Sequence, residues 1–381
     1  MKSKLLMAFI ASTVLTITPL ATAADSLPGM PPVINPENIY SEDAAGLLSP
    51  TVASYPSYIY VPNTLSNSVS VIDAITMKVI AVHKVPREPQ HVVPSWDLKT
   101  LWVNSDLGNA LTPIDPATGK FGTPVSVNDP YNLYFTPDGK YAVVMSEAAK
   151  KIVFRDPHTM AVMREISSQC LGVNHADWSA DGNTFVVSCE FSGELLLVDT
   201  AKMKILKKQT IPKNYAAGNA TNHNGIPNMG PMPQDVKLSP DGKTFYIADM
   251  ISDGVWVMPA PWGPLQFIKT GRGAHGLYVN RGSKTMLITN RNEGTISVLR
   301  FSDKKVIAKW KIPGGGSPDM GGISTDGKIF WVSGRYNGVV YAISTENGRL
   351  LKRIKVGSGP HGLAVYPQPG RYSLGHTGIF R

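Results

Sequence analysis

The sequence predicts an all-β fold, a seven-bladed β-propeller of four-stranded antiparallel blades. Three observations carry that expectation. A turn of the type Ser/Thr-Pro/Ala-Asp-Gly recurs along the chain, short alternating strands follow each copy, and one aligned position repeats at nearly constant spacing. Composition agrees: of 381 residues 35 are Gly and 30 Pro, and only 17% are charged, which suits short strands joined by turns and excludes a charged disordered chain.

The chain opens with Lys2 and Lys4, an apolar run from Leu5 to Leu20, and a small-x-small site at Ala21-Thr22-Ala23. Residues 1–23 therefore read as a cleaved secretory signal peptide, which predicts a periplasmic or secreted protein. The run is short and is broken by Ser12, Thr13, Thr16, Thr18 and Pro19, so no transmembrane anchor is expected after cleavage. Loss of the two lysines lowers the formal net charge from +9 to +7. Residues 24–56 read as a Pro-rich leader draped on the outside, 57–370 as the propeller, and 371–381 as a C-terminal tail.

Within the propeller the turn appears as Thr136-Pro137-Asp138-Gly139, Ser179-Ala180-Asp181-Gly182, Ser239-Pro240-Asp241-Gly242 and Ser324-Thr325-Asp326-Gly327. Asp-Gly favours a tight reversal, and a preceding Pro presets the bend. A second alternating run follows each turn: Tyr141–Met145, Thr184–Ser188, Thr244–Ala248 and Ile329–Ser333. A third follows a polar turn, at Ile152–Phe154, Leu195–Val198, Val255–Val257 and Val339–Ile343. The fourth is often Lys/Arg-rich on one face, as in Lys305–Lys311 and Arg349–Lys355. Near the N-terminus Tyr58–Val61, Ser68–Ile72 and Lys78–Val85 supply three strands, and only Gly362–Tyr366 remains as strand at the other end. These four strands predict a closing blade shared by both termini, which removes the open edges of the ring.

The position seven residues before each turn glycine forms a column: His91, Asn132, His175, Asp235, His275, Met320 and His361, with gaps of 41, 43, 60, 40, 45 and 41. The long gap holds an insertion, roughly Lys213 to Met232.

Tyr60-Val61-Pro62-Asn63 with Ser68–Asp73, Leu287-Ile288-Thr289-Asn290 with Thr295–Leu299, and Gly359-Pro360-His361-Gly362-Leu363-Ala364-Val365 resemble the YVTN β-propeller repeat. Over about Tyr58 to Pro367 the chain is similar to exported YncE-like propellers. That resemblance implies a seven-bladed propeller in the periplasm or outside the cell. A more distant likeness links it to the propellers of nitrous oxide reductase and haem d1 nitrite reductases, and a shared fold does not transfer chemistry.

First strands line the channel of a propeller, so the column is expected around one pore rim. Four of the eight histidines fall on it. Imidazole suits copper and zinc, and a thioether suits copper(I), so His91, His175, Asp235, His275, Met320 and His361 are the candidate metal ligands. The competing readings make the column a structural feature of the repeat, or a small-molecule or haem site.

Cys170 and Cys189 are expected near each other and near the rim, either as a disulfide or as a redox or copper-binding pair. Glu190, Arg87, Glu88, Arg272, Arg335 and Lys213 place charge on the same side, and Asp177 and Asp319 stand as candidate acids or bases. The insertion segment His223–Asp235, with Met229 and Met232, reads as a soft-metal lid or as plain packing.

The chain carries no Gly-x-Ser-x-Gly elbow, Walker loop, dinucleotide fingerprint, His-Glu-x-x-His or Cys-x-x-Cys-His motif. Its lysines are spread along outer strands, so nucleic acid is not an expected partner. The leading expectation is a monomeric periplasmic binding or scaffold protein with copper or zinc at the rim and no other cofactor. Its partner would be a protein or a small ligand at that rim. The alternatives are a metal- or cofactor-dependent oxidoreductase, nitrous oxide reductase-like or haem d1-like, and a pure protein–protein interaction platform.

Overall fold

The recurring turn works because its side chains complete it. Thr136 donates its hydroxyl to the Asp138 carboxylate at 2.6 Å, and Ser324 does the same to Asp326 at 2.6 Å. Gly139, Gly182, Gly242 and Gly327 follow at φ of +70°, +72°, +67° and +76°, a conformation glycine adopts without a Cβ clash. In the blade before Asn132 the same turn is built from Ser95, Asp97 and Leu98, with Leu98 at φ +67°. That copy therefore lacks the Asp-Gly signature.

The computed structural model describes residues 26–213, 230–376 and 378–381. Seven antiparallel sheets surround one axis. Blade 1 runs Pro89–Pro94, Leu101–Ser105, Ala110–Asp115 and Lys120–Phe121, with Val125–Ser126 also paired to its third strand. Blade 2 begins at Asn132–Phe135, blade 3 at Val173–Trp178, blade 4 at Pro233–Leu238, blade 5 at Ala274–Val279 and blade 6 at Pro318–Ile323. Blade 7 sets Ala364–Tyr366 innermost against Tyr58–Asn63, then Ser68–Asp73 and Lys78–Lys84, so both termini close the ring.

First strands are buried, save for half-buried Val279 at the end of blade 5's, whereas the outermost strands Lys78–Lys84 and Lys305–Lys311 alternate exposed with half-buried residues. Their lysines guard free edges against pairing. Between blades the core is aromatic and aliphatic, as where Trp178 stacks on Phe185 at 4.7 Å in a cluster with Tyr134 and Val187. Among the described residues no helix is long and apolar enough to cross a membrane. The predicted signal peptide lies outside the described residues.

The face bearing the Asp-Gly turns is covered twice. The leader runs beneath it, with Leu27, Ile39 and Gly46 donating backbone N–H groups to Asp181, Pro240 and Thr325 in turns of three blades. Leu27, Ile39, Tyr40 and Val52 are buried there. Residues 371–381 turn into the channel from the same side: Leu374 accepts from Phe135 N–H at 2.9 Å, and His376 N–H donates to the Leu133 carbonyl at 2.9 Å. Arg381 anchors this tail, donating to Asp177 at 3.0 Å with its guanidinium 4.5 Å above the Tyr40 ring.

Candidate metal centre

Six first strands each deliver one side chain of the column, the segment just before Ala364–Tyr366 delivers His361, and these side chains lie inside the channel. None of His91, Asn132, His175, Asp235, His275, Met320 and His361 is more than 1% exposed. The expected position at the rim is thus corrected. In blades 1, 3, 4 and 6 the column residue is the third of its strand, not the first. The tail then seals the channel from below.

The tail also brings a histidine that no repeat pattern marks. His376 is 1% exposed and sits among the column, its ring 4.7 Å from that of His175 and 5.3 Å from that of His91. Its backbone is left-handed at φ +50°, which costs a non-glycine residue roughly 1–2 kcal/mol. Gly375 before it presses on blade 2: a Cβ there would lie 2.6 Å from Tyr134 Cα and 2.7 Å from the Leu133 carbonyl oxygen. The one local signal in the sequence is Gly375-His376-Thr377-Gly378, a glycine-flanked histidine in the C-terminal segment.

Five imidazoles therefore share one buried space, with His91 and His361 at 4.9 Å and His275 and His361 at 5.9 Å between ring centres. Burial lowers the pKa of His91 to about 3 and holds His175, His275, His361 and His376 well below the ordinary histidine value. All five rings are neutral at pH 7, the form that ligates metals.

The cluster divides into two groups that could hold an ion, His91/His175/His376 and His275/Asp319/His361, each offering atoms within 4.8 Å of one another. In the first, His91 Nδ1 donates to the Tyr131 carbonyl at 2.9 Å, which leaves Nε2 as a bare lone pair. The Asn132 amide lies 3.2 Å from His175 Nδ1 and 3.1 Å from His376 Nδ1. The Nε2 atoms of His91, His175 and His376 all lack a hydrogen-bond partner. Asp235 Oδ1, likewise without a hydrogen bond, faces His376 Nε2 at 3.5 Å, and burial pushes this carboxyl up to about 6.

The second group is engaged in part, although His361 Nδ1 and Asp319 Oδ2 have no hydrogen-bond partner. Arg291 clasps Asp319 Oδ1 through Nε at 2.7 Å and Nη2 at 2.5 Å, and Nη2 also meets His275 Nε2. His275 Nδ1 lies 3.0 Å from Met320 Sδ and 3.2 Å from Asp319, and Tyr278 OH points at the same sulfur from 3.7 Å. Met320 is thus placed in the channel but turned to its neighbours. Arg291 follows the second strand of blade 5, a position that the first-strand column does not mark.

Other candidates lie elsewhere or serve the fold. Asp177 accepts from Trp178 N–H and Leu238 N–H, each at 2.8 Å, and from Arg381, so it is a structural anchor and not a free acid or base. Cys170 and Cys189 are joined in a disulfide that ties the loop before His175 to the second strand of blade 3. Glu190 accepts from Asn174 Nδ2 at 2.5 Å at the open mouth, where Arg335 is partly exposed, while Arg87, Arg272 and Lys213 face solvent. Of the insertion, His223 and Met229 lie outside the described residues. Met232 donates its N–H to Asp249 at 3.0 Å.

A family model for YNCE-like beta-propellers matches residues 15–370, most of the chain. The chain belongs to the YNCE-like β-propeller family. No curated relative matches it in sequence. Among solved structures this YNCE-like propeller is similar to hydrazine synthase of Kuenenia stuttgartiensis, with 18% identity, a TM-score of 0.62, and coverage of 75% of this chain and 92% of that one. It is also similar to a functionally unknown protein from Desulfotomaculum acetoxidans, with 11% identity, a TM-score of 0.66 and coverage of 81% and 98%. The β-propeller domain of Cps50 (Swd1) from Myceliophteria thermophila gives 14% identity, a TM-score of 0.57 and coverage of 72% and 88%. At such identities these likenesses show the fold alone.

Proposed function

We propose that this YNCE-like propeller is a periplasmic or secreted binding protein that holds a transition-metal ion, copper or zinc, in the histidine cluster on its channel axis. One observation carries the reading: buried imidazoles grouped closely enough to share an ion include ring nitrogens without hydrogen-bond partners. A buried polar atom left unsatisfied costs about 1–3 kcal/mol, and several in one place favour a ligand that satisfies them together. Neutral imidazoles suit copper and zinc, and an ion would take up ring nitrogens that have no hydrogen-bond partner. The protein's part is to keep the rings neutral, dry and oriented, as the Tyr131 carbonyl does for His91.

The test is elemental analysis of protein purified from the periplasm without a His-tag. Near-stoichiometric copper or zinc, lost in a His175→Ala/His275→Ala double variant, is the expected result. A metal-free protein that takes up neither ion on addition would remove this reading and favour an interaction platform whose column is structural.

A further inference from the structure

We infer that the ion is held by three histidines, His91, His175 and His376, so that residues 371–381 are the third wall of the site and metal binding locks the tail into the channel. This rests on the metal reading above and names the ligand set within it.

Three features separate this set from its neighbour. The second group faces a guanidinium: Arg291 takes Asp319 Oδ1 and His275 Nε2, and a cation placed there would meet positive charge, although His361 Nδ1 and Asp319 Oδ2 have no hydrogen-bond partner. The first group has no cationic side chain bonded to it, and the Nε2 atom of each of its rings lacks a partner. Its members also come from three separate parts of the chain, blade 1, blade 3 and the tail, so only the folded, docked molecule assembles them.

The tail's geometry points the same way. His376 is held at φ +50° and inserted by a glycine that leaves no room for a Cβ. Left-handed non-glycine residues persist where their surroundings over-determine them, and here the strained residue is the one that carries a partner-free nitrogen into the cluster. Three neutral imidazoles with one coordination position left open is a ligand set that zinc accepts, as copper does. The Asp235 carboxylate lies 3.5 Å from His376 Nε2. Because His376 belongs to the bound state only when the tail is docked, ion binding and tail docking stabilise each other by mass action.

The experiment is Zn²⁺ titration of the tag-free full chain, followed by calorimetry, together with hydrogen exchange of the tail read by mass spectrometry. His376→Ala and His91→Ala are expected to weaken Zn²⁺ binding on the order of 100-fold, and His361→Gln to change it by less than about 3-fold. In the wild type, saturating Zn²⁺ should slow exchange across residues 371–381 by at least about 10-fold, a measurement that needs no variant to fold. Unchanged affinity in His376→Ala, or a tail indifferent to Zn²⁺, would overturn the inference while the metal reading survives. A larger loss in His361→Gln than in His376→Ala would move the ion to the second group. Wild type that binds neither Zn²⁺ nor copper overturns both.

Discussion

Two halves of one histidine cluster, drawn from the same repeat position and equally buried, have been resolved in opposite ways. Around His275 and His361 the charges are internal: Asp319 is clasped by Arg291, approached by Arg335 at 3.9 Å, and shared with both histidines. Around His91 and His175 the tail supplies another neutral ring, and nitrogens are left without partners. The first half is an ion-pair network that holds blades 5 and 6 together. The second is electrically quiet and open to a ligand. Burial alone does not separate the two halves; what differs is the guanidinium bonded into one of them.

The comparison can be broken most forcefully at Asp319. Asp319→Ala leaves Arg291 buried without its carboxylate, and losing one partner of such a pair costs about 3–5 kcal/mol. Chemical denaturation should show that loss with or without metal; a loss below about 1 kcal/mol would mean the network is not structural. In the other half the large effect should need the ion. Zn²⁺ at a thousand times its dissociation constant adds about 4 kcal/mol, read as a raised melting temperature, and His175→Leu should abolish the increase.

A smaller effect is expected of the disulfide that ties down the loop before His175. Replacing Cys170 and Cys189 by Ser reopens a loop with a sequence separation of 19, at a cost of about 3 kcal/mol. Zinc affinity should fall with it, while the Asp319→Ala penalty stays the same in this background. If that penalty changes, the two halves are coupled and the contrast is overdrawn. Smallest of all should be His175→Leu without metal, within about 1 kcal/mol of wild type, since removing a buried polar group whose Nε2 has no partner sacrifices little. A loss of several kcal/mol in the metal-free protein would make His175 structural.

Much of this architecture was legible in the sequence because a propeller repeats its physics. Each Ser/Thr-x-Asp-Gly turn announces itself, and the column could be read seven residues upstream of it. Where Leu98 takes the glycine's place the turn was hidden, yet the spacing to His91 still marked the blade. What periodicity could not carry was depth and closure. No spacing says how far below the rim a column lies. His376 belongs to no repeat, so only the path of the tail through the channel brings it to His175. Arg291 stands at a strand end where other blades carry Asp106, Glu147, Glu190, Met250 and Arg335, and it took the fold to show that it disarms one half of the cluster.

The shared seventh blade also has a consequence for how the molecule is born. Its innermost strand, Ala364–Tyr366, can pair with Tyr58–Asn63 only once six intervening blades have been synthesised. The channel plug follows that strand. A nascent chain therefore carries an unclosed ring until Ala364–Tyr366 has been synthesised, and His376 can join the other histidines only after that.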